Sequence, residues 1–451
     1  MYGSRVLHET IGWIMSAIEY TGKAKRTLQK ILFLRRKQRK VLKQRRKFKK
    51  RSKKVHRKPP EYTSTVLTSM ANSVPTQIKN RIKSDVVNLK VPEVFCFSRN
   101  PDQAIEFINQ VYSYATNLSV SKLHFDHTNC TVMGVCASTI MDIILLQCKR
   151  WRDSVKNPIN YSGDLLSGGR VSKNVEVDRL LKASGILKHL NIYDKPIDAV
   201  ECLSLIKNGE SAQVAESTID YINRSLARHN LVLTPEGANY FGQLLGEISD
   251  NCSQHGGDGA VWYTLGHYSF NKQTSEGKCQ LVILDFGNTI YEGLKNTATS
   301  AMKKKIDRYV KRSWTLFPSR ESEETLYTLF SLQQRVSRFE QKGIVRGNGT
   351  ITFIDAFQNL FNNESSANRS MLSITSGRCS ILFDGTYTLQ EEVYPSGYRN
   401  KTIAFNSENK LNVPPDRNYV RTLKNKFPGT IISMELYINN ALIDRKENNN
   451  G

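Results

Sequence analysis

No apolar run in this 451-residue chain approaches the length of about eighteen residues that a membrane-crossing helix needs. A secretory leader is not laid out at the start either, because Glu9 and Glu19 interrupt the apolar positions and the basic run follows them. These absences lead to the expectation of a cytoplasmic protein without a transmembrane segment. The eight cysteines, at positions 96, 130, 136, 148, 202, 252, 279 and 379, form no CxxC pair and no cluster with histidine at metal-ligand spacing. Neither a zinc site nor a disulfide framework is therefore indicated. His124 and His127 flank an expected strand and read as structural or surface histidines. What remains is a composition of 39% hydrophobic and 24% charged residues, which suits a globular chain with room for two or three cores.

Acidic residues are missing altogether from one stretch. Between Lys23 and Lys58 stand 20 Lys and Arg and no Asp or Glu, so this arm carries most of the formal net charge of +24. Val6, Ile11, Ile14, Met15 and Ile18 recur at helical spacing before it, and Leu28, Ile31, Leu32, Val41 and Leu42 let a helix resume within it. So much like charge repels itself, and the helix needs a polyanion to hold together. Arg35, Arg36, Lys37, Arg39, Lys40, Arg45, Arg46, Lys47, Lys49, Lys50 and Arg51 are the densest part. Three readings stand: a solvated tail, a surface for the phosphate backbone of RNA or DNA, and a membrane-surface or protein contact. Nucleic acid is the expected partner, through phosphates rather than stacked bases, because few aromatics interleave the run.

Pro59-Pro60 and the Ser/Thr-rich residues up to about Val74 read as a linker, extended here over residues 61–90. Val94–Phe97 is then a short β-prone run and Pro101–Ala115 a helix opened by Asn100 and Pro101. Lys122–Asp126 follows as a strand and Gly134–Gln147 as a helix. Strand and helix in alternation imply a small α/β unit with at least part of its sheet parallel. The stretch LHFDHTNCTVMGVCASTIMDIIL is similar to the core of the STAS domains (sulfate transporters and antagonists of anti-sigma factors), over residues 91–195. In bacterial switch proteins of that kind a serine about nine residues after the strand-end aspartate is phosphorylated. Counting from Asp126, Gly134, Val135 and Cys136 stand there instead, which argues for a structural role or for docking of a protein partner. Tyr161–Asn174 reads as a glycine-containing loop, and Val175–Ala183, Asp198–Ile206 and Ala212–His229 as helices, with residues 196–233 connecting two domains.

The densest functional pattern is LLGEISDNCSQH at Leu244–His255. As a helix it stacks Glu247, Asn251 and His255 on one face, beside an apolar face of Leu244, Leu245, Ile248 and Cys252. The strand LVILDFG, Leu281–Gly287, then places Asp285 at its end. Gly347-Asn-Gly349 and Gly429-Thr430 before Ile431–Ile438 follow in order. These four boxes, over residues 234–445, resemble the GHKL ATPases, the superfamily of DNA gyrase, heat-shock chaperones, sensor histidine kinases and mismatch-repair proteins. The fold expected is thus mixed α/β and α+β: a basic helical arm over residues 1–60, a STAS-like α/β domain and a GHKL-type α/β sandwich that binds ATP with Mg²⁺.

Each box has a physical task. Asn251 offers a neutral oxygen to Mg²⁺, which keeps several waters and takes one or two protein ligands. Glu247, one turn back, is placed to orient or deprotonate the attacking water. The resemblance implies that Asp285 accepts the exocyclic amine of adenine and that Thr430 supports the base. Gly287, Gly347 and Gly349 leave room for backbone near base or phosphates. An expected helix over Ile351–Leu360 would turn its first amides toward the triphosphate, with Arg346 adding a cation and His255 a further phosphate or metal contact.

Two departures from the family pattern stand out. Thr289 occupies the place of a second glycine, and a β-branched residue resists positive φ, so a hinge or pocket difference is expected. The interval from Gly287 to Gly347 is long for a simple lid and contains Lys303, Lys304, Lys305, Arg308, Lys311 and Arg312, either a solvated face or a contact for an anionic partner. No phosphoacceptor histidine motif is present. The reading is an ATP-hydrolysing conformational switch, with a homodimer as in gyrase-like clamps and a setting in bacterial regulation or anti-phage defence by analogy. The alternatives are a non-catalytic nucleotide-binding interaction protein and an anti-sigma-type Ser/Thr kinase.

Overall fold

A computed structural model describes residues 33, 64–74, 86–155, 165–184, 203, 205–255, 260–271, 276–316, 321–333, 349–362, 370–393, 399–438 and 441–445. The chain divides into two units, Met1–Pro59 and Pro60–Gly451. Of the first only Phe33 is described, so the eleven basic residues singled out in the arm lie outside the described residues.

The first described element corrects the linker expectation. Residues Thr65–Ser73 form helix α1, with Val66, Leu67 and Met70 fully buried. The apolar positions i, i+1 and i+4 make one face of a helix even though Ser and Thr fill the others. Strand β1, Val86–Lys90, also falls within the expected linker. There follow β2 (Val94–Phe95), α2 (Pro101–Ala115), β3 (Lys122–Asp126), β4 (Val132–Met133), α3 (Val135–Ser154), β5 (Leu166–Arg170) and α4 (Val175–Ser184). Helix α2 starts as expected: the Asn100 side chain accepts from Gln103 N at 3.4 Å and Pro101 fills the first turn. Strand β5 replaces part of the expected loop. A Cβ at Gly169 would lie 2.2 Å from Phe125 O, so the glycine that reads as a loop former is what lets this strand close on β3. Strands β1, β3 and β5 form a parallel sheet in that order, and β2 pairs parallel with β4.

The second half contains β6 (Ile206–Lys207), α5 (Ser211–Ala227), β7 (Leu231–Leu233), α6 (Pro235–His255), β8 (Trp262–Asn271) and β9 (Glu276–Asp285). It continues with α7 (Ile290–Thr297), α8 (Ser300–Leu316), α9 (Glu323–Ser331), α10 (Gly349–Asn362) and β10 (Met371–Phe383). β11 (Gln390–Val393), β12 (Arg399–Thr402), β13 (Val420–Ile438) and β14 (Ile443–Arg445) complete it. The expected helix at Asp198–Ile206 lies mostly outside the described residues, and its last residue belongs to β6. An antiparallel five-stranded sheet, β10-β13-β9-β8-β6, is the spine.

Alternation along the strands sends side chains to both faces of this sheet. Leu281, Ile283, Ile432 and Met434 pack with Leu244, Leu245 and Ile248 of α6 and Phe353, Ile354 and Phe357 of α10. Val282, Leu284, Phe286, Phe427 and Ile431 join a second core with Leu67, Ile105, Ile108, Ile140 and Ile144. The N-terminal α/β unit is thereby the layer on the second face of the sheet, and residues 60–451 are one compact unit rather than two tethered ones. The long interval after Gly287 is not a bare lid: Leu294, Ala298, Met302, Ile306, Val310, Leu326 and Tyr327 give α7, α8 and α9 a small core of their own.

Candidate functional site

Helix α6 is opened by Thr234, whose Oγ1 accepts from Gly237 N at 3.0 Å, with Pro235 in the first turn. Leu244, Leu245, Ile248 and Cys252 are buried against the sheet, and Glu247 and Asn251 are half-buried on the neighbouring face. The start of α10 comes down on these two side chains. A Cβ at Gly349 would lie 2.6 Å from Glu247 Oε2 and 4.0 Å from Asn251 Nδ2. Burial, and then the nearby charge of Asp250, raises the Glu247 carboxyl above its ordinary pKa, which makes it a stronger base once ionised.

Asp285 ends β9 and is 3% exposed. Its Oδ1 accepts from Gly287 N at 2.9 Å and from Thr430 N at 3.3 Å, so the first and last glycine boxes are tied to one carboxylate. Gly429 has φ +129°, and a Cβ there would lie 2.1 Å from Asp285 O, a conformation and an approach that require glycine. Thr430 Oγ1 lies 3.0 Å from Ser376 Oγ, which in turn accepts from Ile290 N at 2.9 Å. Cys252 joins the two halves: burial and then the Asp285 charge push its thiol well up, as expected of neighbours on α6 and β9.

Thr289 avoids positive φ, as expected of a β-branched residue. Its φ of −65° is ordinary, and it caps α7 in a full capping box: Glu292 N donates to Thr289 Oγ1 at 3.1 Å and Thr289 N to Glu292 Oε2 at 2.9 Å. The other oxygen of Glu292 takes Lys426 Nζ. Burial raises the Glu292 carboxyl, but Lys426 and Thr289 outweigh it and hold the group below its usual range. Beside this pair, Gly377 at φ +60° marks an irregularity of β10, and the Glu324 carboxylate, which accepts from Arg378 N at 2.9 Å, fills the space where a Cβ would be. Ser376, Gly377, Glu324 and Lys426 were missed in the sequence. The isolated glycine in LSITSGRCSI is the one signal that pointed to a bulge there.

Glu247, Asn251 and Gly349 are thus brought together, as are Asp285, Gly287 and Thr430. Arg346 and Gly347 lie outside the described residues, as does the His255 side chain, whose backbone ends α6. Among the described residues no three His, Cys, Asp or Glu gather to hold a metal. Asn251 and Glu247 are the oxygen-bearing side chains that meet the start of α10. No family model, curated protein or solved structure matches the chain.

Proposed function

We propose that this chain is an ATP-binding, ATP-hydrolysing conformational switch of the GHKL type whose basic arm contacts nucleic acid. The observation that carries the reading is convergence. Asp285, Gly287 and Thr430, from opposite ends of the region, share one buried carboxylate, while Glu247 and Asn251 meet the first residue of α10. In this reading Asp285 accepts the exocyclic amine of adenine, and Thr430 and Ser376 hold the wall behind the base. Asn251 gives its amide oxygen to Mg²⁺, Glu247 orients or deprotonates water, and the first amides of α10 face the negative charge. Bound Mg-ATP supplies the phosphoanhydride whose cleavage separates the two states of the switch.

Calorimetry with Mg-ATP tests the site. Asp285→Asn and Asn251→Ala are each expected to weaken binding by about tenfold to a hundredfold, the range of a hydrogen bond to a charged group. Wild-type affinity in both would overturn the assignment. Release of inorganic phosphate from γ-labelled ATP, against label retained on protein, distinguishes a hydrolase from a kinase and from a protein that only binds. For the arm, neutralising Arg35–Lys37 and Arg45–Lys47 is expected to flatten the salt dependence of nucleic-acid binding. The slope should fall by about 0.9 for each duplex phosphate that is no longer neutralised, or about 0.7 for single strands.

A further inference from the structure

Helix α8 presents a face that the nucleotide reading does not use. Met302, Ile306 and Val310 turn inward to the small core with Leu326 and Tyr327. Lys304, Lys305, Arg308, Lys311 and Arg312 turn outward and are exposed. The helix's single acid, Asp307, is engaged by Tyr327 Oη at 2.7 Å. Among the described residues none of these cations has an ion pair. Lys304, Arg308 and Lys311 stand at i, i+4 and i+7, a single stripe, and Trp314 follows one turn after Lys311 on the same side. At 1.5 Å per residue the stripe from Lys304 to Trp314 is about 15 Å long.

The stripe ends at a cleft. It is a shallow cleft between α8 and residues 412–415, lined by Tyr309, Trp314, Glu321, Asn412, Pro414 and Pro415. Trp314 is 41% exposed, yet its ring is held, because Nε1 donates to Glu321 O at 3.1 Å. The Glu321 carboxylate in the cleft wall is paired with Arg417 at 3.1 Å, so it does not set an uncompensated negative charge against an anionic guest. The held, half-exposed indole shares the cleft wall with Pro414 and Pro415 and offers an open ring face with polar groups at its edge.

We infer that α8 and this cleft bind a single-stranded nucleic acid, with Lys304, Arg308 and Lys311 on consecutive phosphates and one unpaired base stacked on Trp314. Charge complementarity selects a polyanion, and the open indole face at the end of the cation stripe selects one that carries flat rings. An interfacial membrane helix would need an exposed apolar face, and among the described outward side chains of α8 cations stand with only Ala301 and Trp314 apolar. An acidic protein would use the cations and leave the indole idle. The surface is formed by other residues than the arm and the strand-end site, and it differs from the arm in engaging a base.

The experiment uses the full chain and two fluorescent strands of equal length, an oligouridylate and an abasic strand with the same backbone, followed by anisotropy at fixed salt. Trp314→Ala is expected to weaken oligouridylate binding by about 5- to 150-fold, the span for one base on an aromatic side chain, and to leave the abasic strand unchanged. Trp314→Phe, which keeps a ring, is expected to recover most of the loss, and equal thermal melting of the three proteins establishes that the fold is intact. The triple change Lys304→Glu, Arg308→Glu, Lys311→Glu is expected to weaken both strands. Equal affinity of Trp314→Ala and wild type for oligouridylate overturns the proposal. So does a triple variant that loses anionic vesicles or polyglutamate but keeps both strands. Neutralising the arm alters the salt slope for both strands alike, so failure of the arm reading shows separately.

Discussion

Two glycines beside the candidate site hold their places for different reasons, and alanine separates them. At Gly429 both the φ of +129° and the 2.1 Å approach to Asp285 O forbid a side chain, and the obstacle is backbone. Gly429→Ala is therefore expected to cost about 2–4 kcal/mol in urea unfolding. At Gly349 the obstacle is the tip of the Glu247 side chain, which is free to rotate away. Gly349→Ala is expected to keep stability within about 1 kcal/mol, since alanine favours the helix, while displaced Glu247 lowers ATP turnover by about a hundredfold. Wild-type turnover in that variant would remove Glu247 from the chemistry. The same carboxyl makes a pH prediction. Its pKa is raised in the folded chain, so the fold binds its proton more tightly than the unfolded chain does, and stability is lost as pH rises through the raised value. Glu247→Gln should therefore melt higher than wild type at neutral pH, with the difference closing toward acid. In the wild type the acid limb of turnover should lie above the ordinary glutamate range.

At the scale of elements, α7 depends on its N-cap, Thr289. Thr289→Ala removes one half of the capping box and is expected to cost about 1 kcal/mol, whereas Thr289→Gly costs only a few tenths by the capping rule. Chemical denaturation of the two variants reads the difference, and equal losses would mean that the burial of Thr289, not its cap, matters. This residue also shows what was legible. A threonine in a glycine's place was visible in the sequence, and Thr289-x-x-Glu292 is a local capping signature that was passed over, whereas the hold of Lys426 on Glu292, 134 residues further on, is a tertiary contact. Helix α2 and strand β3 were readable to the residue, because Asn100-Pro101 and period-two alternation are local signals. Helix α1 and strand β5 were not. One hides its apolar face among Ser and Thr, and the other needs Gly169 for closeness to Phe125, a tertiary reason that a loop-forming residue conceals. The pairing order of the five-stranded sheet is likewise a product of long-range contacts.

The whole molecule places the middle residue of the Asp285-Phe286-Gly287 turn between layers. Phe286 is fully buried, its ring 5.5 Å from Phe427, which lies 6.2 Å edge-on from Phe97 of the N-terminal α/β unit. Ser69 Oγ donates to Phe286 O at 3.3 Å, and Lys424 N donates to Asp102 Oδ1 at 2.7 Å, so α1 and the first turn of α2 hold the same strand ends from the other side. A sheet covered on one face alone would expose Val282, Leu284, Phe286, Phe427 and Ile431 to water, and at about 25 cal/mol per Å² such a face makes the two layers a single cooperative structure. Phe427→Ala is accordingly expected to cost about 3–5 kcal/mol and to lower the stability of both layers together. The readout is hydrogen exchange resolved by peptide. Helices α2 and α3 on one side and α6 and α10 on the other should lose protection to the same extent, because all four pack on one sheet. If α2 and α3 alone lost protection while α6 and α10 kept theirs, the layers would be independent, and a change at Phe286 would have no path from the strand-end carboxylate to the N-terminal unit.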